Sequence, residues 1–401
     1  MENTSANELA HRLLDHCLTG TPWPESLIDR LIEPDASRAL FSIVVERLAD
    51  LFEPRLCGVY AELFAEVIAK GTPELHGPHL TARYARVSQP RKLDRDPGEV
   101  RHVFVLSRVT LGADVAVTSV ILDAAKRLFP AAEIYYAGTR KGWELFAGDP
   151  RIGHLPVAYR RGGTFAERLS AWPDLRAALS LPHSIVIDPD SRLTQLGLLP
   201  VCPEEDYYFF ESRSFGGDGD ESLSDLTRKW VEETFGIAGS RAYLQPDEQI
   251  SHGPDIAISL GVGENPAKRL PDPFEEELLR LLAKHGRILI DRGAGGEEAE
   301  RVDRAVQAVG GDIDTWDGSF AGFAARIAAS KLYVGYDSAG GHVAAASGVP
   351  MIGIFAGAAS PRMLQRWTPS GPGRIDLIPV EQPDVPAVLD HVRAILDDHA
   401  F

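Results

Sequence analysis

Six consecutive residues, Asp337, Ser338, Ala339, Gly340, Gly341 and His342, set an acid, a hydroxyl, two glycines and an imidazole between the apolar run "KLYVGY" and the alanine-rich "VAAASG". The first run reads as a buried strand and the second as a helix, so the six fall at a strand-to-helix turn. A helix N-terminus presents unpaired N–H groups and partial positive charge, which suits phosphate. On that reading Gly340 and Gly341 let a diphosphate approach the backbone, and Ser338 caps the helix or hydrogen-bonds an oxygen. His342 is a poor cation in a first helical turn, where its pKa falls, and makes more sense facing an anion. The plain alternative is a cap, a turn and a satisfied, partly buried histidine.

Two other stretches could join it. In "SRVTLGADVAVTSVILDAAKRLF" a strand ends at a Gly112, Ala113, Asp114 turn ahead of a helix, which puts a carboxylate at the carboxyl edge of a sheet, facing a cleft. In "SLGVGENPAKRLPDPFEEELLRLL" a glycine loop leads to Lys268 and Arg269. The chain holds 41 Lys and Arg against 58 Asp and Glu, a formal charge of −17. Against that background a Lys-Arg pair beside a glycine loop is a candidate phosphate clamp, with a solvated surface pair as the alternative. A fourth stretch, "IDPDSRLTQLGLLP", offers Asp188, Ser191, Arg192 and Gln195 to sugar hydroxyls or phosphate, or is simply a capped helix start.

The elements that must position these groups follow from pattern. Residues 7 to about 70 carry apolar positions at three- and four-residue steps (Leu40, Ile43, Val44, Leu48, Leu51), an all-helical unit. A Pro-, Gly- and charge-rich piece at 71–99 reads as a boundary. From residue 102, "HVFVLSRV", "AEIYYAG", "SIVIDPD" and "DYYFFES" alternate with amphipathic helices, the signature of a parallel sheet covered on both faces. The alternation restarts after about residue 254 with "DIAISLGVG", "RILIDRG", "KLYVGYD" and "PMIGIF" and closes on "VPAVLDHVRAILDDH". The expected division is 1–99 helical domain and linker, 100–245 first α/β domain, 246–401 second α/β domain, with a ligand cleft at the strands' carboxyl ends.

Composition excludes several classes. The acidic balance argues against nucleic acid or an anionic membrane surface as main partner. Cys17, Cys57 and Cys202 have no metal-ligand spacing and fit free thiols in a reducing cytosol. No stretch approaches a membrane span and the N-terminus lacks a signal-peptide layout, so a cytoplasmic protein without metal is expected.

In this order and spacing the motifs resemble glycosyltransferase family 9, the bacterial ADP-heptose-type transferases of the lipopolysaccharide inner core. The resemblance runs from residue 102 to about 385. It rests on Arg108, Thr110, Asp114 and Thr118, on "NPAKRLP", and on Asp337, Ser338, His342, Ala344, Ala345, "GVP" and "RWTP". It implies a GT-B fold, two Rossmann-like domains facing across a cleft, here with an extra N-terminal helical segment. It also implies an inverting, metal-independent transfer from a nucleotide-diphosphate sugar, an ADP-sugar first among them, to a glycan or other hydroxyl acceptor, with no cofactor. Asp114 would be the general base. Lys268, Arg269, Ser338, the amides after Asp337 and His342 would hold the diphosphate, and Glu297 or Glu298 the nucleotide ribose. Arg108, Thr118, Asp188 and Arg192 would serve the acceptor. The N-terminal helices lie outside the family pattern and are expected to pack on the first domain or mediate a homodimer. The family's glycines are replaced at Ala113 and Ala339, with glycines one place earlier at 112 and one place later at 340, so reshaped loops are expected. A silent binding or scaffold protein and a nucleotide-sugar epimerase are the rival readings.

Overall fold

The computed structural model describes residues 5–72, 74–160, 163–263, 265–293, 295–358 and 360–398. Two compact units share the chain: Met1–Val109 with Ala124–Arg140 and Arg151–Ser240, and Thr110–Asp123 with Lys141–Pro150 and Arg241–Phe401.

The first unit holds a five-stranded parallel sheet of order β3-β2-β1-β4-β5. Its strands are β1 His102–Leu106, β2 Glu133–Gly138, β3 Ile152–Pro156, β4 Ser184–Asp188 and β5 Tyr207–Phe209. β1 and β4 are buried on both faces, as their unbroken apolar runs require. The chain works outward from β1 through β2 to β3, then returns to lay β4 on β1's other side. That reversal makes the carboxyl ends of β1 and β4 the switch point of the sheet, where open α/β sheets bind ligands.

The N-terminal helices do not form a domain of their own. Leu13, Tyr60, Phe64 and Leu80 share one apolar core with Phe104, Leu106, Val186 and Leu199 of the sheet layer. Nor is 71–99 a plain linker, because Gly77–Val87 is a helix with Pro78 in its first turn and Leu80 and Tyr84 buried four residues apart. The Pro and Gly that read as a boundary start that helix.

The second unit holds a six-stranded parallel sheet, order β11-β10-β9-β6-β7-β8. The strands are β6 Ile256–Ser259, β7 Ile288–Asp291, β8 Ile313–Trp316, β9 Leu332–Tyr336, β10 Met351–Ala356 and β11 Ile375–Val380. Here the order reverses between β6 and β9. The loop carrying Lys268 follows β6 and the Asp337 turn follows β9, so two separately chosen motifs meet at this switch point.

The expected 100–245 domain is also divided differently. Thr110–Asp123, which contains Asp114, groups with the second unit. The reason is a close approach at Gly112 described below.

Candidate active site

β9 ends at Tyr336, Asp337 and Ser338 turn the chain, and the helix Ala339–Ser347 begins. Lys268 ends a short 3-10 turn, Pro266–Lys268, whose first amide is capped by the Asn265 side chain at 3.1 Å. That turn brings Lys268 Nζ to 2.6 Å from Asp337 Oδ2, both side chains retaining some exposure (18% and 16%). The two motifs therefore form one ion pair at the sheet edge, open enough for an anion to compete for the lysine.

Ser338 occupies the N-cap position, yet its side chain makes no capping bond. Its hydroxyl lies 3.3 Å from the Tyr333 hydroxyl instead. Gly340 and Gly341, expected to admit a diphosphate, are both buried, and packing gives a further reason for glycine at each. A Cβ on Gly340 would lie 2.3 Å from the Tyr333 hydroxyl, and one on Gly341 3.2 Å from Met351 Cε. Residues 337–339 of the turn are partly exposed.

His342 is 7% exposed, with its ring edge-on to Trp367 at 6.0 Å. Burial pushes its pKa down to about 4, Asp337 pulling upward and Lys268 downward by less. It is a neutral imidazole, so it can offer an N–H to an oxygen but no charge.

Arg269 is otherwise engaged. Its Nε lies 3.0 Å from Glu275 Oε1 and it also pairs with Asp272, while Glu275, 3% exposed, takes Arg301 and the Tyr336 hydroxyl as well. This cluster braces the wall of a cavity of about 770 Å³ lined by Gly263, Pro266, Arg269, Glu298, Arg301 and Glu381, among others. Of the two acids considered for the ribose, Glu297 is exposed and Glu298 turns inward. A Cβ at Gly261 or Gly293 would lie 2.3 or 2.2 Å from Glu298 Oε1. Glycine after β6 and after β7 thus leaves room for the Glu298 carboxylate.

Asp114 follows a strained step. Val109, β-branched, has φ +72°, a conformation held by a 2.8 Å bond from its amide to Ser107 Oγ. Thr110 starts the next turn, and Asp114–Thr118 is a π-helical turn, a form frequent at functional sites. Asp114 is 1% exposed, and Thr118, which was assigned to the acceptor, is fully buried and donates to Asp114 Oδ1 at 2.8 Å. Gly112 faces the Ala339–Ser347 helix: a Cβ there would lie 3.2 Å from His342 Cδ2 and 3.3 Å from Ala339 Cα. The structure therefore brings Asp114's turn, Ala339 and His342 together. The reshaping expected at the two alanines does not take the form of positive φ. Ala113 has φ −68° and Ala339 is an ordinary helical residue, so neither bears positive φ.

At the carboxyl edge of the first sheet, Arg108 donates to Pro189 O at 3.1 Å and to Ser212 Oγ at 2.5 Å. Asp188 is fully buried and accepts from Ser191 N, Thr194 Oγ1 and Tyr207 OH at 2.7, 2.5 and 2.6 Å, while Ser191 is the cap of the 3-10 turn Arg192–Thr194. Burial lifts its pKa to about 6, against the pull of those three bonds. Arg192 is partly exposed. The sequence reading missed Asp190, Glu211 and Arg213, a buried ion cluster with Arg213 Nε 3.2 Å from Asp190 and 2.7 Å from Glu211. Among the described residues no group of three or more His, Cys, Asp or Glu is placed to hold a metal ion, and no helix is long and apolar enough to cross a membrane.

Residues 221–372 match the glycosyltransferase family 9 (heptosyltransferase) sequence model. In fold the chain is similar to the Escherichia coli heptosyltransferase WaaC solved with ADP, at 17% identity and TM-score 0.54, over 73% of this chain and 99% of that one. It is similar to a family 9 glycosyltransferase from Veillonella parvula (17%, TM-score 0.54, 75% and 90%). The same holds for the E. coli ADP-heptose lipopolysaccharide heptosyltransferase II (17%, TM-score 0.52, 74% and 99%). No curated protein sequence matches. The GT-B fold class and the family 9 resemblance read from the sequence are borne out.

Proposed function

We propose that this chain, heptosyltransferase-like in its family 9 match and in fold, is an inverting glycosyltransferase. It moves a sugar from a nucleoside-diphosphate donor, ADP-linked first among candidates, to a hydroxyl acceptor without a metal ion, in the cytoplasm. The acceptor oxygen attacks the anomeric carbon, its proton passes to the Asp114 carboxylate, and the bond to the diphosphate oxygen breaks. Thr118 holds Asp114 in one rotamer for that role.

Charge developing on the leaving diphosphate is met by Lys268, released from Asp337, and by the first amides of the Ala339–Ser347 helix. Neutral His342 adds a hydrogen bond. Glu298 accepts from the ribose hydroxyls in the cavity beside it. The observation that carries this reading is the approach of Gly112 to Ala339 and His342, since it seats the base-bearing turn against the helix expected to take the diphosphate.

The test is nucleotide binding and release on the purified chain across ADP-, GDP-, UDP- and dTDP-sugars with EDTA present. One donor should bind and hydrolyse slowly, and Asp114→Asn should abolish the release without weakening binding. Tight binding with no release, with candidate acceptors added, would instead establish a silent binder.

A further inference from the structure

The turn at residues 189–197 is strained and is held from outside its own sheet. Asp190, Gln195 and Leu196 have φ of +65°, +51° and +56°, none of them glycine, so surrounding contacts must over-determine the shape. Two of those contacts come directly from the N-terminal helices Pro54–Gly71 and Gly77–Val87, and a third reaches the turn through Arg213. Tyr60 donates to Gln195 O at 3.4 Å, Arg83 donates to Gly197 O, and Arg213, which pairs with Asp190, donates to the Tyr84 hydroxyl at 3.3 Å. The guanidinium of Arg213 also lies 4.9 Å from the centre of the Tyr60 ring.

All four side chains are buried: Tyr60 0%, Arg83 4%, Tyr84 7% and Arg213 2% exposed. Arg83 is the telling member. Its guanidinium stacks 4.6 Å from the Tyr207 ring centre, and among the described residues its Nε and Nη2 have no hydrogen-bond partner. A buried cation so poorly satisfied costs stability, and an apolar side chain of similar size would pack there at less cost. What it supplies is a donor aimed at the carbonyl that ends the strained turn.

We infer that these two helices are a working part of the acceptor side of the enzyme, with Tyr60, Arg83 and Tyr84 as positioning residues that fix the 189–197 turn and so the place of Arg192. The inference rests on the reading of the first unit as the acceptor side. It gives the helices a task inside their own chain, distinct from docking a partner.

The experiment uses the full chain with Arg83→Met, Arg83→Lys, Tyr60→Phe and Tyr84→Phe. Amide exchange of residues 189–199 should quicken at least tenfold in Arg83→Met and less in the two Phe variants. Residues 256–260 and 339–347 should keep their protection, and ADP affinity should stay within twofold. With ADP-heptose as donor and galacturonate or glucose as surrogate acceptor, Arg83→Met should raise the acceptor KM by more than it lowers kcat, and Arg83→Lys should restore it. Unchanged exchange at 189–199, or equal loosening of the reference segments, overturns the inference, as does a loosened turn with an unmoved acceptor KM. If no surrogate accepts, the exchange contrast decides. Failure of the unaltered protein to bind ADP would sink the transferase reading while the exchange result still judges the clamp.

Discussion

The carboxyl edges of the two sheets handle charge in opposite ways. At the second, one lysine and one aspartate pair across the switch point, partly exposed, beside a glycine-lined cavity. At the first, Asp190, Glu211 and Arg213 are buried together, Arg108 reaches Ser212 and a carbonyl, and two helices close over the turn. The same parallel architecture thus keeps a cation within reach of a ligand on one edge, and on the other uses cations to fix backbone shape. Buried ion pairs add little net stability, but breaking one is expensive, which suits the second task.

The sharpest way to break the contrast is Asp114→Asn, which should lower turnover by about 10²–10⁴-fold while ADP affinity measured by calorimetry stays put. Arg213→Met removes the cation nearest two buried carboxylates and should cost about 3–5 kcal/mol, read as a Tm lower by roughly 10 °C, again with ADP affinity intact. If ADP binding fell with it, the two edges would not be independent.

Acid should separate them further. His342 has a folded pKa lowered from its usual 6.5 to about 4, so its stability contribution is complete above pH 6.5 and is lost as pH falls toward 4, by about 3 kcal/mol in all. Asp188, raised to about 6, contributes the other way: its share is complete below its usual value and is lost as pH rises through 6. Thermal melts from pH 4 to 7 should therefore lose acid sensitivity in His342→Gln and gain it in Asp188→Asn. Lys268→Met should weaken ADP by roughly 10–100-fold, the range for a hydrogen bond to a charged group. Gly112→Ala should slow turnover by about tenfold, because its Cβ pushes the base-bearing turn off the Ala339–Ser347 helix. A Gly112→Ala protein with full activity would remove the main support for a shared site.

Long apolar runs made most of the fold legible. β1, β4, β6, β9 and β10 are central strands buried on both faces, and their sequences say so without help. β3 "IGHLP", β8 "IDTW" and β11 "IDLIPV" were not read as strands, since edge strands are short and carry polar residues and proline. The Asp337 turn was legible because acid, hydroxyl and glycine at a strand end are unusual together. The reason for its glycines was not, because Tyr333 sits two strand positions behind Gly335 and its hydroxyl reaches Gly340 only in three dimensions. Glu298 could not be told from Glu297 by spacing, as the difference is one helical step. Asp190, Glu211 and Arg213 were invisible because charged residues are read as surface until a fold buries them.

Val109 closes the account with a trade. A β-branched residue at φ +72° stores about 1–3 kcal/mol of strain, which a glycine at that position would release. Val109→Gly should accordingly give a protein that melts higher and works more slowly, since the same strain aims the turn that ends in Asp114. Directed selection for heat resistance alone would find this substitution early and would pass over it once the proposed sugar transfer was also required.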